Sequence, residues 1–331
     1  MRSTETLAIA QANRVLAGAA IAATQAPSVH NTQPWRWLIR GGRAELRAER
    51  RRQLTESDPD GRMLVTSCGT ALHYACVALA ADGYVVDIER VPDPADPDLL
   101  ARIGIAGRVP VTPEAMRHFQ TLEIRRTDRR PLADLPLPRG AVERLRSVAA
   151  AFGIGLDVLD RDQVVELAAA TGRAQRDQVA DAAGLAELDA WSGRHRWPGA
   201  GVPDDNIPDH PSPTTVPARD FGHLGTLTGA DTHDAAARYA ILHGIGDDPG
   251  TWLRGGEALS AVWLEAIGYA LSVVPLSAAV EAPGTRQELR RILSGVGYPC
   301  IAMRVGTADP EQPPPPRTPR LPVDSTVDVI E

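Results

Sequence analysis

Pro27-Ser28-Val29-His30-Asn31-Thr32-Gln33-Pro34-Trp35-Arg36-Trp37 is the stretch on which the reading of this 331-residue chain turns. Pro27 and Pro34 prevent a regular helix, because each lacks an N–H and has a fixed φ. Ser28, Asn31, Thr32 and Gln33 then present hydroxyl and amide groups from a stiffened loop. Trp35 and Trp37 are two of only six tryptophans. At strand spacing they share a face, so both can anchor in a core. Composition alone leaves two readings level: a polar connection pinned by core tryptophans, or a loop built to hold a ligand.

Working outward, residues 5–24 read as an alanine-rich helix closed by Ala26-Pro27-Ser28. Downstream, Trp35–Ile39 and Ala44–Ala48 flank Gly41-Gly42, the signal of a two-residue hairpin. Asp58-Pro59-Asp60-Gly61 makes a turn before a long helix of small apolar residues at 62–82, and residues 84–91 alternate as a strand. A short strand is expected near Ile103 to Ile105. From 114 the pattern begins again: a helix to about Glu123, a helix over 139–151, a strand Ile154–Leu159, and a helix opened by Asp160 with Gln163 three residues on, a capping box. A further long helix is expected over 251–271 and a strand over 300–305, with a proline-rich tail at 308–322. Gly69 and Gly256 open similar helical stretches, with Ala-Leu at the same offset from each, so an internal duplication is expected. Between 184 and 240 lie six prolines, four of the eight histidines and little periodicity. So long an irregular stretch is either a lid or poorly ordered.

The chemistry open to the chain is narrowed by its cations. It has 35 basic and 42 acidic side chains, a net charge of −7, and every one of the 35 is arginine. Without lysine there is no Schiff base and no phosphate-binding P-loop. The acidic balance argues against sequence-independent nucleic-acid binding. Three cysteines (Cys68, Cys76, Cys300) without a CxxC pair suit a reducing cytoplasm better than a disulfide framework. No signal-like core precedes Arg14, and no run approaches ~18 uninterrupted apolar residues, so no membrane span is expected. His195, His210, His223 and His233 have no ligand spacing, so no metal is expected either. Gly153-Ile-Gly155 and Gly295-Val-Gly297 lack the third glycine of a dinucleotide loop.

PSxxNxQPWRW resembles the signature loop of the FMN-dependent nitroreductase family, most closely its Acg-type branch of fused, duplicated proteins. The likeness continues through DPDGR at 58–62, SCGTALHYACVALA, RRTDRR at 125–130, WSGR at 191–194, GGEALSAVWLEA at 255–266 and RTPRLP at 317–322. It implies an α+β, nitroreductase-like fold in which two tandem units form an intramolecular pseudo-dimer, so that a monomer suffices. The first unit would span 1–113. The second would span 114–331, with the 184–240 insertion and a C-terminal arm at 308–331. FMN would lie between the units. Pro27, Ser28, Asn31, Gln33 and Trp35 of one would face the ring, and Arg126, Thr127 and Arg320 of the other would hold the phosphate. Arg129 would approach the flavin pyrimidine edge and Ser277 the segment facing N5. Each half lacks the motif the other has, so one competent site and one degenerate site are expected.

A phosphate monoester carries about −1.5 to −2 charges near neutral pH, which guanidiniums meet with strong, partly bidentate hydrogen bonds. Because arginine holds its proton tenaciously, that grip is expected to persist to high pH. Several residues depart from the family pattern: Val29, Thr127, Pro131 and the Ala270-Leu271 pair. No catalytic side chain is implied, since the flavin carries the chemistry. The resemblance implies reduction by NAD(P)H followed by transfer to a small electron-poor acceptor. Its rival is a protein that holds FMN beneath a shut lid without turnover.

Overall fold

Alternation and helical periodicity place most of the elements where the sequence does. The computed structural model of the chain describes residues 8–193, 198–229, 233 and 235–330. Helix α1 (Ile9–Ala23) buries Ala12, Leu16, Ala19, Ala20 and Ala23 along one stripe. After the 27–34 loop, strands β1 (Trp35–Arg40) and β2 (Arg43–Ala48) pair antiparallel from Arg40 opposite Arg43. The turn between them has Gly41 at φ 58° and Gly42 at φ 75°. Only a two-residue turn with both φ positive matches the strand twist, and glycine adopts it without strain. Trp35 and Trp37 are fully buried from the same face, and burying each large apolar side chain stabilises by roughly 1.5–3 kcal/mol.

Helix α2 (Arg62–Ala81) follows, then β3 (Tyr84–Arg90), β4 (Leu99–Arg108) and α3 (Pro113–Ile124). Next come α4 (Ala141–Ala150), β5 (Gly155–Val158), α5 (Arg161–Ala180) and α6 (Ala182–Ala190). The Asp160–Gln163 capping box opens α5. After an irregular stretch come β6 (Arg238–Gly244), α7 (Pro249–Gly268), β7 (Leu271–Leu276), the single turn α8 (Ala278–Glu281), α9 (Pro283–Ile292) and β8 (Tyr298–Thr307). The 251–271 helix expected from sequence stops at Gly268 because Ala270 turns left-handed at φ 56°. The insertion is also more regular at its edges than its composition implies. Residues 184–190 continue α6, and 238–240 begin β6.

With β9 at Val327–Val329, the strands form two sheets, ordered β3-β4-β2-β1-β9 and β5-β6-β8-β7. Pro275 lies in β7, an edge strand, where its missing N–H breaks no ladder. Strand β9 (Val327–Val329) comes from the far end of the chain. It pairs parallel with β1 at Trp37–Val327 and Ile39–Val329, so the C-terminal arm crosses over and is built into the first sheet.

The two sheets are joined through α2 and α7, which cross at glycines. A Cβ on Gly69 would stand 2.1 Å from the carbonyl oxygen of Leu253, and one on Gly256 would stand 1.9 Å from that of Thr66. Leu253 and Thr66 are separated by the same 187 residues as Gly256 and Gly69, and so are Ser260 and His73, whose Oγ and Nδ1 lie 2.8 Å apart. Reciprocal contact between equivalent positions is the mark of a two-fold interface. The chain is thus an α+β fold of two tandem units paired about a pseudo-two-fold axis. Helix α2 is long and apolar enough to cross a bilayer, but 83% of its apolar window is buried inside the fold.

Candidate functional site

The left-handed backbone of the 27–34 loop sets the site. His30, Asn31 and Gln33 have φ of 45°, 54° and 49°, a region that non-glycine residues adopt at a cost of about 1–3 kcal/mol each. Hydroxyls hold it there. Ser28 Oγ accepts the Gln33 N–H at 2.9 Å, and Ser67 Oγ accepts the Val29 N–H at 3.1 Å. Thr70 Oγ1 donates to the Pro27 carbonyl at 2.5 Å, and the Cys68 thiol points to the Pro34 carbonyl at 3.2 Å. Ser67, Cys68 and Thr70 all belong to the Ser-Cys-Gly-Thr run of the crossing helix, so the glycine contact and the loop are locked together.

Against this loop lies a cavity between the units. Pro27, Ser28, Thr127, Arg129 and Ser277 line it, and Trp263 and Leu259 of α7 form its floor with Thr66 and Thr70 of α2. Five of the ten residues expected from sequence therefore converge on one space. Thr66 Oγ1 and His30 Nδ1 are buried there without a hydrogen-bond partner. Burial holds His30 neutral, well below the usual histidine range, with Arg219 and then Arg129 adding to the effect.

Two expected residues, Arg126 and Arg320, join Arg125 in an arginine cluster beside this space. Arg125 Nε donates to Tyr74 Oη at 2.7 Å, and its guanidinium stacks 4.6 Å from the Trp263 ring centre with Nη1 buried and unpartnered. Arg126 Nη1 donates to the Glu123 and Arg125 carbonyls. Arg320 donates to Asn31 Oδ1 at 3.2 Å and to the carbonyls of Gln25 and Ala26, and its Nε has no partner. Among the described residues, none of these arginines pairs with a carboxylate. Burial, then Arg125, pulls Arg320 down to about 9, which corrects the expectation of a grip indifferent to high pH. Consecutive arginines look alike in sequence, and the stack of Arg125 on Trp263 becomes visible only once α7 is placed.

The remaining residues play other parts. Trp35 lies wholly in the first core and does not line the cavity. Asn31 Nδ2 donates to the carbonyls of Gly201 (3.0 Å) and Pro319 (3.1 Å), and Gln33 Nε2 to that of Gly199 (2.7 Å). Gln33 Oε1 accepts the Leu321 N–H. Both amides thus clip the insertion and the C-terminal arm onto the loop. Asn31→Ala should cost roughly 2–3 kcal/mol in urea unfolding and speed amide exchange across 198–229. Unchanged exchange there would show that the clip is idle. The RRTDRR motif divides likewise. Arg130 pairs with Asp128 at 2.7 Å and braces the Pro313 carbonyl, while Thr127 and Arg129 face the cavity. Arg194 and His195 lie outside the described residues.

The counterpart positions of the other unit carry different chemistry. The 187-residue offset carries Ser67 to Arg254, Thr70 to Glu257 and Trp263 back to Cys76. Glu257, 1% exposed, accepts two hydrogen bonds from Arg90 at 2.7 and 2.8 Å. Burial raises the Cys76 and Cys300 thiols to about 12 and raises that of Cys68 also, which leaves all three inert. Elsewhere, Glu114, His118 and Glu265 converge, but Arg144 pairs with both carboxylates.

Paired α+β units around one interfacial cavity, with a strained polar loop on one side and unneutralised arginines at the end, define a nitroreductase-like protein. Comparison with known proteins agrees. The chain is 38% identical over 313 residues to "Putative NAD(P)H nitroreductase Rv3131" of Mycobacterium tuberculosis H37Rv, covering 92% of this chain and 89% of that one. It is 31% identical over 318 residues to "Putative NAD(P)H nitroreductase acg" of the same organism, covering 95% and 96%. The chain belongs to the nitroreductase family, in the branch that holds these two relatives. No family model matches it. Among solved structures it is similar to the FMN and NADPH-dependent nitroreductase NfnB of a Sphingopyxis strain, at 16% identity and a TM-score of 0.38, over 64% of this chain and 97% of that one. It is also similar to a nitroreductase-like family protein of Bacillus cereus, at 11% identity and a TM-score of 0.38, over 65% and 96%.

Proposed function

We propose that the chain is an FMN-dependent NAD(P)H oxidoreductase of the nitroreductase type, cytoplasmic and monomeric, acting on a small electron-poor acceptor. The observation that carries this reading is the cluster of Arg125, buried, and Arg126 and Arg320, half-buried, which pair with no carboxylate among the described residues and lie beside a cavity lined by Ser28, Thr127, Arg129 and Ser277. Such charge in a low-dielectric setting calls for a dianion. The orphaned Thr66 hydroxyl and His30 Nδ1 fit a polar, heteroatom-rich ring beside it. When bound, FMN supplies the redox chemistry, taking a hydride from NAD(P)H and passing the electrons to the acceptor.

The chain's own residues position and shield. Trp263, Leu259 and Ile301 exclude water. Arg129, which pairs with no carboxylate among the described residues, biases the cavity toward negative charge. His30, kept neutral, is unsuited to donating a proton at ordinary pH. We infer one competent site per chain, because Glu257, paired with Arg90, stands at the counterpart of Thr70. Purified protein should be yellow with one FMN per chain. Two per chain would contradict a single competent site.

A second reading has its own support: the insertion is fastened near its start and again at Arg219. Glu187 accepts the N–H groups of Glu56 (3.0 Å) and Ser57 (2.9 Å), and Arg219 pairs with Glu281. A lid that stayed shut would hold FMN without turnover. Anaerobic NADPH or NADH should bleach the bound flavin, and faster in Glu187→Ala if the lid gates access. Failure of both nucleotides to bleach either protein would rule out the reductase.

A further inference from the structure

A second cavity adjoins the first and shares His30, Arg129, Pro275 and Ser277 with it. The insertion closes it with Val202, Val216, Arg219 and Phe221. Its charged lining residues are Arg129, Arg219 and Arg304, and no carboxylate lines it among the described residues. Arg219 is 11% exposed and is aimed by three contacts: Gln178 Oε1 at 3.0 Å, Ser277 Oγ at 3.2 Å, and the Glu281 carboxylate. Arg129 stacks 5.3 Å from the Phe221 ring centre, and His30 meets the same ring edge-on at 6.0 Å, its Nδ1 unpartnered. The space therefore combines an aromatic wall, an open hydrogen-bonding position and facing guanidiniums.

We propose that this cavity is the acceptor subsite and that it selects a planar aromatic carrying a carboxylate, with Arg219 of the insertion as the specificity-determining cation. The proposal rests on the FMN reading only for the word acceptor; the preference for an anion stands on the lining itself. A neutral ligand leaves Arg129, which pairs with no carboxylate among the described residues, under the repulsion of Arg219 in a poorly solvated space. A carboxylate between them relieves that repulsion and gains charge-assisted hydrogen bonds. The neutral carboxamide analogue fills nearly the same volume, brings no charge to relieve the repulsion and accepts weaker hydrogen bonds. Because Arg219 comes from the insertion and Arg129 from the 125–130 turn, such an anion also ties one to the other.

Isothermal calorimetry on the purified full chain, with flavin content measured in the same preparation, should compare 4-nitrobenzoate with its neutral counterpart 4-nitrobenzamide. The carboxylate is expected to bind about tenfold tighter at low salt, with the margin shrinking as salt rises. Arg219→Gln should bring the two affinities together. Glu281→Gln removes the carboxylate that competes for Arg219 and should widen the margin. Equal affinities in the unmodified chain would overturn the proposal. Should Arg219→Gln loosen the insertion and lose both ligands, Glu281→Gln decides, and a margin that stays the same or narrows would overturn it. A colourless preparation would instead sink the FMN reading, while calorimetry still reports the anion preference.

Discussion

Gly256→Ala should cost the fold about 3 kcal/mol or more and abolish flavin binding with it. The added methyl carbon would lie 1.9 Å from the Thr66 carbonyl oxygen, 2.8 Å from its carbon and 2.9 Å from Gly69 Cα. All three are backbone atoms, so no rotamer change relieves the clash, and the helices must separate. Overpacking a core ordinarily costs 1–3 kcal/mol where side chains can yield; here they cannot. Separation also strips both cores. Leu253 and Leu264 of α7 sit in the first unit's core, and Met63 of α2 sits in the second's. The cavity lies between the same helices, so it should open as they part. Gly268→Ala is the control: a Cβ there meets nothing within 4 Å, and the better helix former should stabilise by up to roughly 1 kcal/mol. Urea midpoints compare the two directly. A Gly256→Ala midpoint equal to that of the unmodified chain would show that the crossing is not what joins the units.

That crossing was legible in the sequence only in part. The likeness of the stretches after Gly69 and Gly256 marks two equivalent helices, because small-residue runs are what close helix packing requires. It does not show that the two glycines touch each other, since contact depends on the rotation relating the units. The hairpin, the capping box and the alternating β3 were readable because each depends on neighbours in sequence. Strand β9 was not. Three residues pairing parallel with a strand nearly three hundred positions away carry no local signal, and Val327–Val329 follows a proline-rich tail that shows no strand pattern.

The site divides along the same line. Residue types fix what Ser28, Thr127 and Arg129 can do, and the fold brings them together with Pro27 and Ser277. Asn31 and Gln33 read as ligand groups because the resemblance sets them against the ring and the sequence shows no partner for a loop amide. Their partners, the carbonyls of Gly199, Gly201 and Pro319, are more than 160 residues away. Trp35 belonged to the loop by sequence adjacency and to the core by strand alternation, and alternation won because a tryptophan gains more from full burial than from a polar cavity. Hydrogen bonds between distant backbone and side chain are the part of a site that sequence conceals most completely.

Those same arginines make the sharpest test of the cofactor reading, which is to remove the phosphate and leave the ring. FMN should bind at least 100-fold tighter than riboflavin, since each hydrogen bond to a charged group contributes roughly 1.5–3 kcal/mol and more than one is in reach. Arg126→Ala, whose present partners are only local carbonyls, should shrink that ratio by about tenfold or more while leaving riboflavin affinity nearly unchanged. Arg320→Ala should shrink it too, but with some loss of riboflavin affinity, because Arg320 also steadies Asn31 and the end of α1. The pH dependence follows from two protons. Below about 6 the phosphate takes up its second proton and loses charge. Above about 9 the buried Arg320, held below its ordinary value, gives its proton up. A depressed base pKa means the buried charge burdens the empty site at every pH below that value, and a bound dianion lifts the burden. FMN affinity should therefore plateau between about 6 and about 9 and fall on either side, while riboflavin affinity stays flat. In Arg320→Ala the alkaline fall should disappear. A ratio of FMN to riboflavin affinity near one, or an alkaline fall that survives in Arg320→Ala, would place the phosphate elsewhere.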